Sequence, residues 1–198
     1  VLCGLFQITA GDYANGDYSV RELGRGELKN RISVMFQDFV RYNLSLKRNI
    51  LIGSRTSKVN KSLYEKAKKI SGVDLFMKRL GITDEQFLGK FFGTGRELSP
   101  GHWQRLAIAR MIYRNKEIMI MDEPFTFIDS ASKAAILDGI MEFVGDNRIL
   151  VYITQDTDNL AKFDKVYYFK KGKIVEQGQV KELLEKKGHF YKQAKFNR

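Results

Sequence analysis

The spacing of apolar residues divides the chain into strands and helices. Apolar runs at residues 31–37, 117–121 and 148–154 predict three buried strands. In residues 60–80, apolar positions recur every three or four residues, which predicts one helix ending at Gly81. Strands that alternate with helices are typical of an α/β fold with a mainly parallel sheet.

The clearest helix prediction lies in "LSPGHWQRLAIARMIY". Ser99 is a natural N-cap, and Pro100 suits the first helical position. A second helix is predicted from Ser130 to about Phe143, and a hairpin turning at Lys171 and Gly172 is predicted before two short closing helices.

The start of the chain is less regular. The segment "TAGDYANGDYSV" predicts a turn with short edge strands, and the opening "VLCGLF" is typical of the end of a helix whose start is absent. We therefore expect an N-terminal truncation. With only two prolines and no repeat, the 198 residues are expected to form one domain.

Composition and charge restrict the candidate partners only partly. The formal net charge of +11 favours an anionic partner, such as nucleic acid, an anionic membrane surface or a nucleotide phosphate. The alternative is a lysine-rich solvated surface, which "KSLYEKAKKI" favours because its lysines alternate with apolar residues at helical spacing. Since no apolar run approaches the roughly 18 residues of a membrane helix, no membrane-spanning segment is predicted.

Candidate chemistry begins in "EIMIMDEP", where an apolar strand leads into Asp122 and Glu123. In an α/β sheet, ligands gather at the carboxyl ends of the strands. One carboxylate could hold a water-coordinated Mg²⁺ while the next polarises an attacking water; a helix-cap pair or a surface ion pair is the alternative. The phosphate-binding pattern G-x-x-x-x-G-K-[ST] does not occur in the sequence.

The helix that begins after Ser99 is a second candidate site. Its free backbone N–H groups and positive dipole end suit an anion, and Gly101 would let a ligand approach the backbone closely. An ordinary well-capped helix is the alternative. The two sites gain weight together, because the helix start, the apolar strand and the paired carboxylates follow one another without interruption.

Several motifs in order resemble the ATPase domain of ABC transporters. The segment "LSPGHWQRLAIARMIYRNKEIMIMDEPFTFID" resembles the signature motif, helix and Walker B strand, where L-S-G-G-Q and D-E-P are expected. "VMFQDFVRYNLSLKRNILIG" resembles the Q-loop region, and "KVYYFKKGKIVEQGQVKELLEKKGHFYK" resembles the C-terminal end of exporter-type domains. The sequences of these motifs are most similar to those of fused permease–ATPase exporters of the bacteriocin and peptide type.

This resemblance implies a P-loop NTPase-like (RecA-like) fold with helices on both faces of the sheet. Residues 1–40 and 105–198 would form the core, and residues 41–104 an inserted helical subdomain carrying the signature motif. The chain would start just after the phosphate loop, so the first strands of the fold would be missing.

The resemblance also implies roles at the strand ends. Asp122 would hold Mg²⁺ through water, and Glu123 would be the general base for hydrolysis. Gln37 would sense the metal and the γ-phosphate, while "DFVRY" after it would face the membrane domain.

Other roles belong to a dimer of such domains. Ser99, Gly101 and His102 would contact ATP held by the opposite subunit, and Asp129 would match the loop that links the two sites. Gln155 stands where the family has a catalytic histidine. Pro100 and His102 also depart from the family pattern, so these three positions put full hydrolytic activity in question.

The resemblance implies that Mg-ATP drives dimerisation and that ATP hydrolysis powers export. The isolated 198-residue chain is expected to be inactive as an ATPase. The partners implied are ATP, a transmembrane permease domain and a second nucleotide-binding domain, in a homodimer or a heterodimer, at the cytoplasmic face of the membrane. A catalytically weakened, nucleotide-gated dimerisation module is an alternative. A soluble ABC-type ATPase acting on nucleic acid or ribosomes has only the basic charge in its favour, and no nucleic-acid partner is expected.

Overall fold

The computed structural model describes residues 3, 5–6, 8–11, 14–15, 18–19, 25–52, 54, 58–90, 93 and 95–196. The chain forms two compact units, Val1–Ile153 and Thr154–Arg198. The division into a core and a helical subdomain at residues 41–104 stays a prediction.

The first unit contains most of the secondary structure. Its strands are β1 (Ala14–Asn15), β2 (Tyr18–Ser19), β3 (Ile32–Met35), β4 (Ile118–Asp122) and β5 (Ile149–Ile153). Its α-helices are α1 (Arg25–Arg31), α2 (Leu46–Leu51), α3 (Lys61–Ser71), α4 (Val73–Leu80), α5 (Pro100–Arg114) and α6 (Ser130–Val144). A short 3₁₀ helix, Gly145–Asn147, follows α6.

The central sheet is parallel, as predicted. Its order is β3-β4-β5, with Met35 opposite Met121 and Asp122 opposite Ile153. Because all three strands run in one direction, their carboxyl ends lie at the same edge, where α/β folds bind ligands. The strand predicted at residues 31–37 ends earlier, at Met35, and Gln37 lies in the turn beyond it.

The single helix predicted at residues 60–80 is wrong. It is two helices, α3 and α4, separated by Gly72 at φ 68°. A left-handed residue cannot continue a right-handed helix, and glycine adopts that conformation without a Cβ clash. The predicted end at Gly81 is confirmed, since Gly81 is the left-handed cap of α4.

Helix α5 forms the centre of the first unit. Its buried side chains include Trp103, Leu106, Ile108, Met111 and Ile112. It packs against β3 and against α2, α3 and α4. The Ser33 hydroxyl in β3 also donates to the Met111 carbonyl at 3.2 Å. These contacts fix α5 relative to the sheet.

The segments near the N-terminus are only partly described. Strands β1 and β2 pair antiparallel, in agreement with the short edge strands predicted at residues 9–20. Of the helix end predicted at residues 1–6, positions 1, 2 and 4 lie outside the described residues, and the other three form a turn and a bend. Helices α1 and α2 were not predicted, because six or seven residues are too few to show a helical period.

The second unit contains the predicted hairpin and closing helices. A 3₁₀ helix, Leu160–Lys162, precedes β6 (Val166–Lys170), β7 (Lys173–Gly178), α7 (Val180–Glu185) and α8 (His189–Phe196). Lys171 and Gly172 have φ values of 50° and 74°, which suits a two-residue hairpin turn. The Glu176 carboxylate accepts from the N–H groups of His189 and Phe190, which joins β7 to the start of α8.

Among the residues that the structure describes, none of the helices has both the length and the apolar character to cross a bilayer.

Candidate functional site

The paired carboxylates lie where β4 ends. Asp122 is its last residue, and Glu123 follows with φ 45°, a left-handed conformation that costs a glutamate roughly 1–3 kcal/mol. The Glu123 N–H donates to the Ile153 carbonyl of β5 at 3.0 Å. The chain therefore turns sharply between two half-buried carboxylates, at the edge of the sheet where ligands bind.

Gln37 reaches the same edge from the neighbouring strand. Met35 pairs with Met121, so Gln37 and Asp122 both follow this register pair within two residues. Gln37 is exposed. Carboxylate and amide oxygens are ligands that Mg²⁺ accepts, and Mg²⁺ commonly takes only one or two protein ligands beside water and phosphate. Within the described residues, no group of three or more acidic, histidine or cysteine side chains could hold a metal ion, so such a site would need those other ligands.

The start of α5 is built as the sequence predicts. The Ser99 hydroxyl accepts from the His102 N–H at 3.3 Å, and Pro100 occupies the first turn. The close approach at Gly101 is made by this chain itself, because a Cβ there would lie 2.5 Å from the Phe127 carbonyl oxygen. The absence of a side chain at Gly101 thus lets the helix start pack against the loop after β4.

His102 lies in a cleft of about 330 Å³ beside this helix start. Its ring contacts Phe76 with 4.6 Å between the ring centroids. Burial, and then the positive charges of Arg79 and Arg105, lower the pKa of His102. The imidazole is therefore neutral at pH 7, and the cleft owes its positive charge to the two arginines.

Asp129 borders the same cleft and caps α6. Its carboxylate accepts from the Ser132 N–H at 2.9 Å, and its other oxygen lies 3.7 Å from Arg105. Hydrogen bonding from Ser132 is the main cause that lowers the pKa of Asp129, with Arg105 adding to it. Asp129 is thus ionised and tied to α5.

The structure adds one residue to the site, Gln104, that could not be predicted from the sequence. Gln104, in the second turn of α5, is buried and contacts the loop after β4 at both ends of its amide. The only signal in the sequence is a polar residue next to Trp103, in a helix whose apolar positions include Leu106. A buried amide needs hydrogen-bond partners, but the sequence does not name them.

Within the first unit, the predicted site residues fall into two places. Asp122, Glu123 and Gln37 share the carboxyl edge of the sheet, whereas Ser99, Gly101, His102 and Asp129 line the cleft at the start of α5. Gln155 belongs to the second unit, where it is exposed and its carbonyl accepts from the Gln193 amide at 3.4 Å.

Comparison with known proteins shows which family the chain belongs to. Residues 1–126 match the model of the family described as ABC transporter. The chain belongs to the ABC transporter family. The α/β fold with its parallel sheet agrees with this, since the chain superposes with a TM-score of 0.78 on a bacterial Atm1-family ABC exporter with ATP bound. That superposition has 25% sequence identity and covers 88% of this chain and 30% of the exporter chain.

Its relatives include named transport proteins. The chain is 31% identical over 191 residues to the β-(1→2)glucan export ATP-binding/permease protein NdvA of Bartonella quintana (strain Toulouse), covering 96% of this chain and 31% of the relative. It is 30% identical over 190 residues to the subtilin transport ATP-binding protein SpaT of Bacillus subtilis, covering 93% and 30%. The chain thus spans less than a third of the length of these relatives.

Proposed function

We propose that this ABC transporter chain is the ATP-binding and ATP-hydrolysing part of an exporter. The observation that carries the proposal is the pair Asp122 and Glu123 at the carboxyl edge of a parallel sheet, with Glu123 held in a left-handed turn. NdvA, a relative named for export, supports the direction of transport, and SpaT, named for transport, supports the transport role.

The proposed chemistry divides between the two carboxylates. Asp122 and Gln37 would hold Mg²⁺, which neutralises phosphate charge when ATP is bound. Glu123 accepts the proton of the attacking water, so that hydroxide character develops as the water approaches the γ-phosphate. The bond from the γ-phosphorus to the bridging oxygen breaks, and ADP leaves with the electron pair.

The cleft at the start of α5 would serve a second ATP-binding domain. Ser99 and the N–H groups of the α5 helix start are suited to the γ-phosphate of ATP held by that partner, and Arg105 adds positive charge beside them. His102 would lie near the ribose. Asp129, bonded to Arg105, would connect this contact to α6. Hydrolysis would then require two such domains, identical or different.

The remaining parts of the function are also proposals. A transmembrane permease domain would be driven by the ATP-dependent closure of the dimer, with this chain at the cytoplasmic face of the membrane. Relatives described as ATP-binding/permease proteins support this arrangement. We expect the 198 residues by themselves to bind ATP weakly and not to hydrolyse it, because backbone N–H groups and a lysine of the phosphate loop supply much of the phosphate recognition.

Replacement of the metal-binding carboxylate tests the proposal. In the complete subunit, Asp122→Asn should lower the Mg²⁺-dependent rate of ATP hydrolysis on the order of 10²-fold, because an amide carries no charge to hold the cation. Asp146→Asn, the same change at an exposed residue of the 3₁₀ helix, should leave the rate unchanged.

The assay measures phosphate release at several Mg²⁺ concentrations. A parent subunit that binds ATP but releases no phosphate would identify a nucleotide-gated dimerisation module instead. Equal rates in the Asp122→Asn and parent subunits would contradict the metal assignment.

A further inference from the structure

Gln104 joins α5 to the turn that carries Glu123. Its side-chain amide is buried, with 2% of the residue's surface exposed. Nε2 donates to the Glu123 carbonyl at 3.3 Å, and Oε1 accepts from the Phe127 N–H at 2.9 Å. One side chain thus bridges both ends of the five-residue loop 123–127.

The two partners fix the orientation of this amide. With the amide reversed, its NH₂ group would face the Phe127 N–H and its oxygen would face the Glu123 carbonyl oxygen. Both arrangements place like partial charges together and leave buried groups unsatisfied. Asparagine carries the same amide on a side chain one methylene shorter, so glutamine differs from it in reach.

The Glu123 backbone is held on every side. Its N–H is bonded to Ile153, and its carbonyl accepts from the Thr126 hydroxyl at 3.1 Å as well as from Gln104. A glutamate at φ 45° persists only where its surroundings impose that conformation. Of these three bonds, two are made within the sheet and the loop, and the third comes from Gln104 in a helix.

Phe127 carries the same connection to the helix start. Its N–H is bonded to Gln104, and its carbonyl packs against Gly101 one turn earlier in α5. A displacement of Ser99 and Gly101 would therefore be transmitted to both peptide groups of Phe127. Through Gln104 it would also reach the Glu123 carbonyl.

We propose that Gln104 is a positioning residue that holds Glu123 in its hydrolytic orientation and makes it move with the start of α5. This inference rests on the proposed function, in which Glu123 acts on one ATP while Ser99 contacts the ATP of the partner domain. Gln104 then connects the two nucleotide sites within one chain. Its amide is buried and bonded to the backbones of Glu123 and Phe127, so its effect is through the backbone of Glu123.

Two variants separate the two bonds in the complete subunit. Gln104→Met removes both bonds at nearly constant volume, whereas Gln104→Glu in its carboxylate form keeps an acceptor for the Phe127 N–H and removes the donor to Glu123. Gln177→Met is the matched control, because Gln177 is exposed in β7. The measurements are kcat and KM for ATP, and deuterium exchange at the Phe127 amide.

Gln104→Met should lower kcat about tenfold or more, since a small displacement of a catalytic group is costly, and should speed exchange at Phe127. KM for ATP should stay within about twofold, because the contact acts on the reacting geometry rather than on binding. Gln104→Glu should keep the slow exchange at Phe127 but still lose activity. Gln177→Met should match the parent in every measurement.

Two results would overturn the inference: a Gln104→Met subunit whose kcat stays within about twofold of the parent, or one whose Phe127 amide exchanges as slowly as before. If the parent subunit hydrolyses no ATP, the proposed function fails. The exchange data still decide whether Gln104 holds the loop, so the two failures are distinguishable.

Discussion

Gly101 is the point where the helix start and the loop after β4 come closest. A Cβ at this position would lie 2.5 Å from the Phe127 carbonyl oxygen, which is a backbone atom and cannot turn away as a side chain would. Loop residues 123–127 are also tied to Gln104 and to β5. A methyl group at Gly101 must therefore displace either α5 or the loop.

We expect Gly101→Ala to lower the free energy of unfolding by about 1–3 kcal/mol, the usual cost of forcing an extra methyl group into a packed contact. Gly26→Ala is the matched control: Gly26 is also helical, in α1, but nothing lies within 4 Å of its Cβ position. Alanine there should stabilise the helix by about 0.5–1 kcal/mol. Urea unfolding of both variants gives the comparison, and a stabilised Gly101→Ala protein would disprove the contact.

The conformation of some residues can be predicted from the sequence, and that of others cannot. The Ser99 cap and Pro100 could be predicted, because their preferences act within one helical turn. The left-handed conformation of Glu123 could not, since it depends on bonds to Ile153 and Gln104, which are 30 and 19 residues away. The catalytic and binding roles of these residues stay predictions.

At the scale of elements, α5 is tied to the segment after β3 by Arg110. Its Nε donates to the Asn49 carbonyl at 2.9 Å, and Nη1 donates to the Val40 carbonyl at 3.1 Å. The guanidinium also lies over the Tyr42 ring, with 4.7 Å to the centroid. This segment follows Gln37, so α5 contacts both strand-end loops that carry candidate site residues.

Arg110→Met should lower the free energy of unfolding by about 2–3 kcal/mol, because carbonyls that accept from a charged donor lose their partner. Amides of residues 40–49 should exchange faster as the segment loosens. Arg41→Met is the control at an exposed position, where about 0.5 kcal/mol or less is expected. Unchanged unfolding and exchange in Arg110→Met would show that other contacts hold the segment.

The elements with strong local signals could be predicted from the sequence. Helices α5 and α6, the three sheet strands and the β6–β7 hairpin lie where the apolar spacing and turn residues indicated. The break at Gly72 was missed because the apolar period continues across it. There, Arg105 of α5 occupies the space in which a Cβ of Gly72 would stand, which is a contact between distant parts of the chain.

At the scale of the whole molecule, the central sheet ends at β5 within the described strands. Ile149 and Ile153 of this strand keep 60% and 48% of their surfaces exposed. Exposed apolar residues on an edge strand favour association with another strand. The chain spans less than a third of the length of NdvA and of the Atm1-family exporter.

We propose that Glu123 is the general base of an ATPase that works as a dimer. Replacing its carboxylate by an amide removes the proton acceptor but leaves the residue's size unchanged. Nucleotide binding depends on other groups, so it should survive. Glu142→Gln makes the same change on the exposed face of α6 and serves as the control.

The most direct measurement is phosphate release by the complete subunit with Mg-ATP, together with its association state. Glu123→Gln should lower the hydrolysis rate on the order of 10²–10⁴-fold and accumulate an ATP-bound dimer, while Glu142→Gln matches the parent. If the Glu123→Gln subunit hydrolyses ATP at the parent rate and forms no ATP-dependent dimer, Glu123 is not the general base and ATP does not drive dimerisation of this subunit.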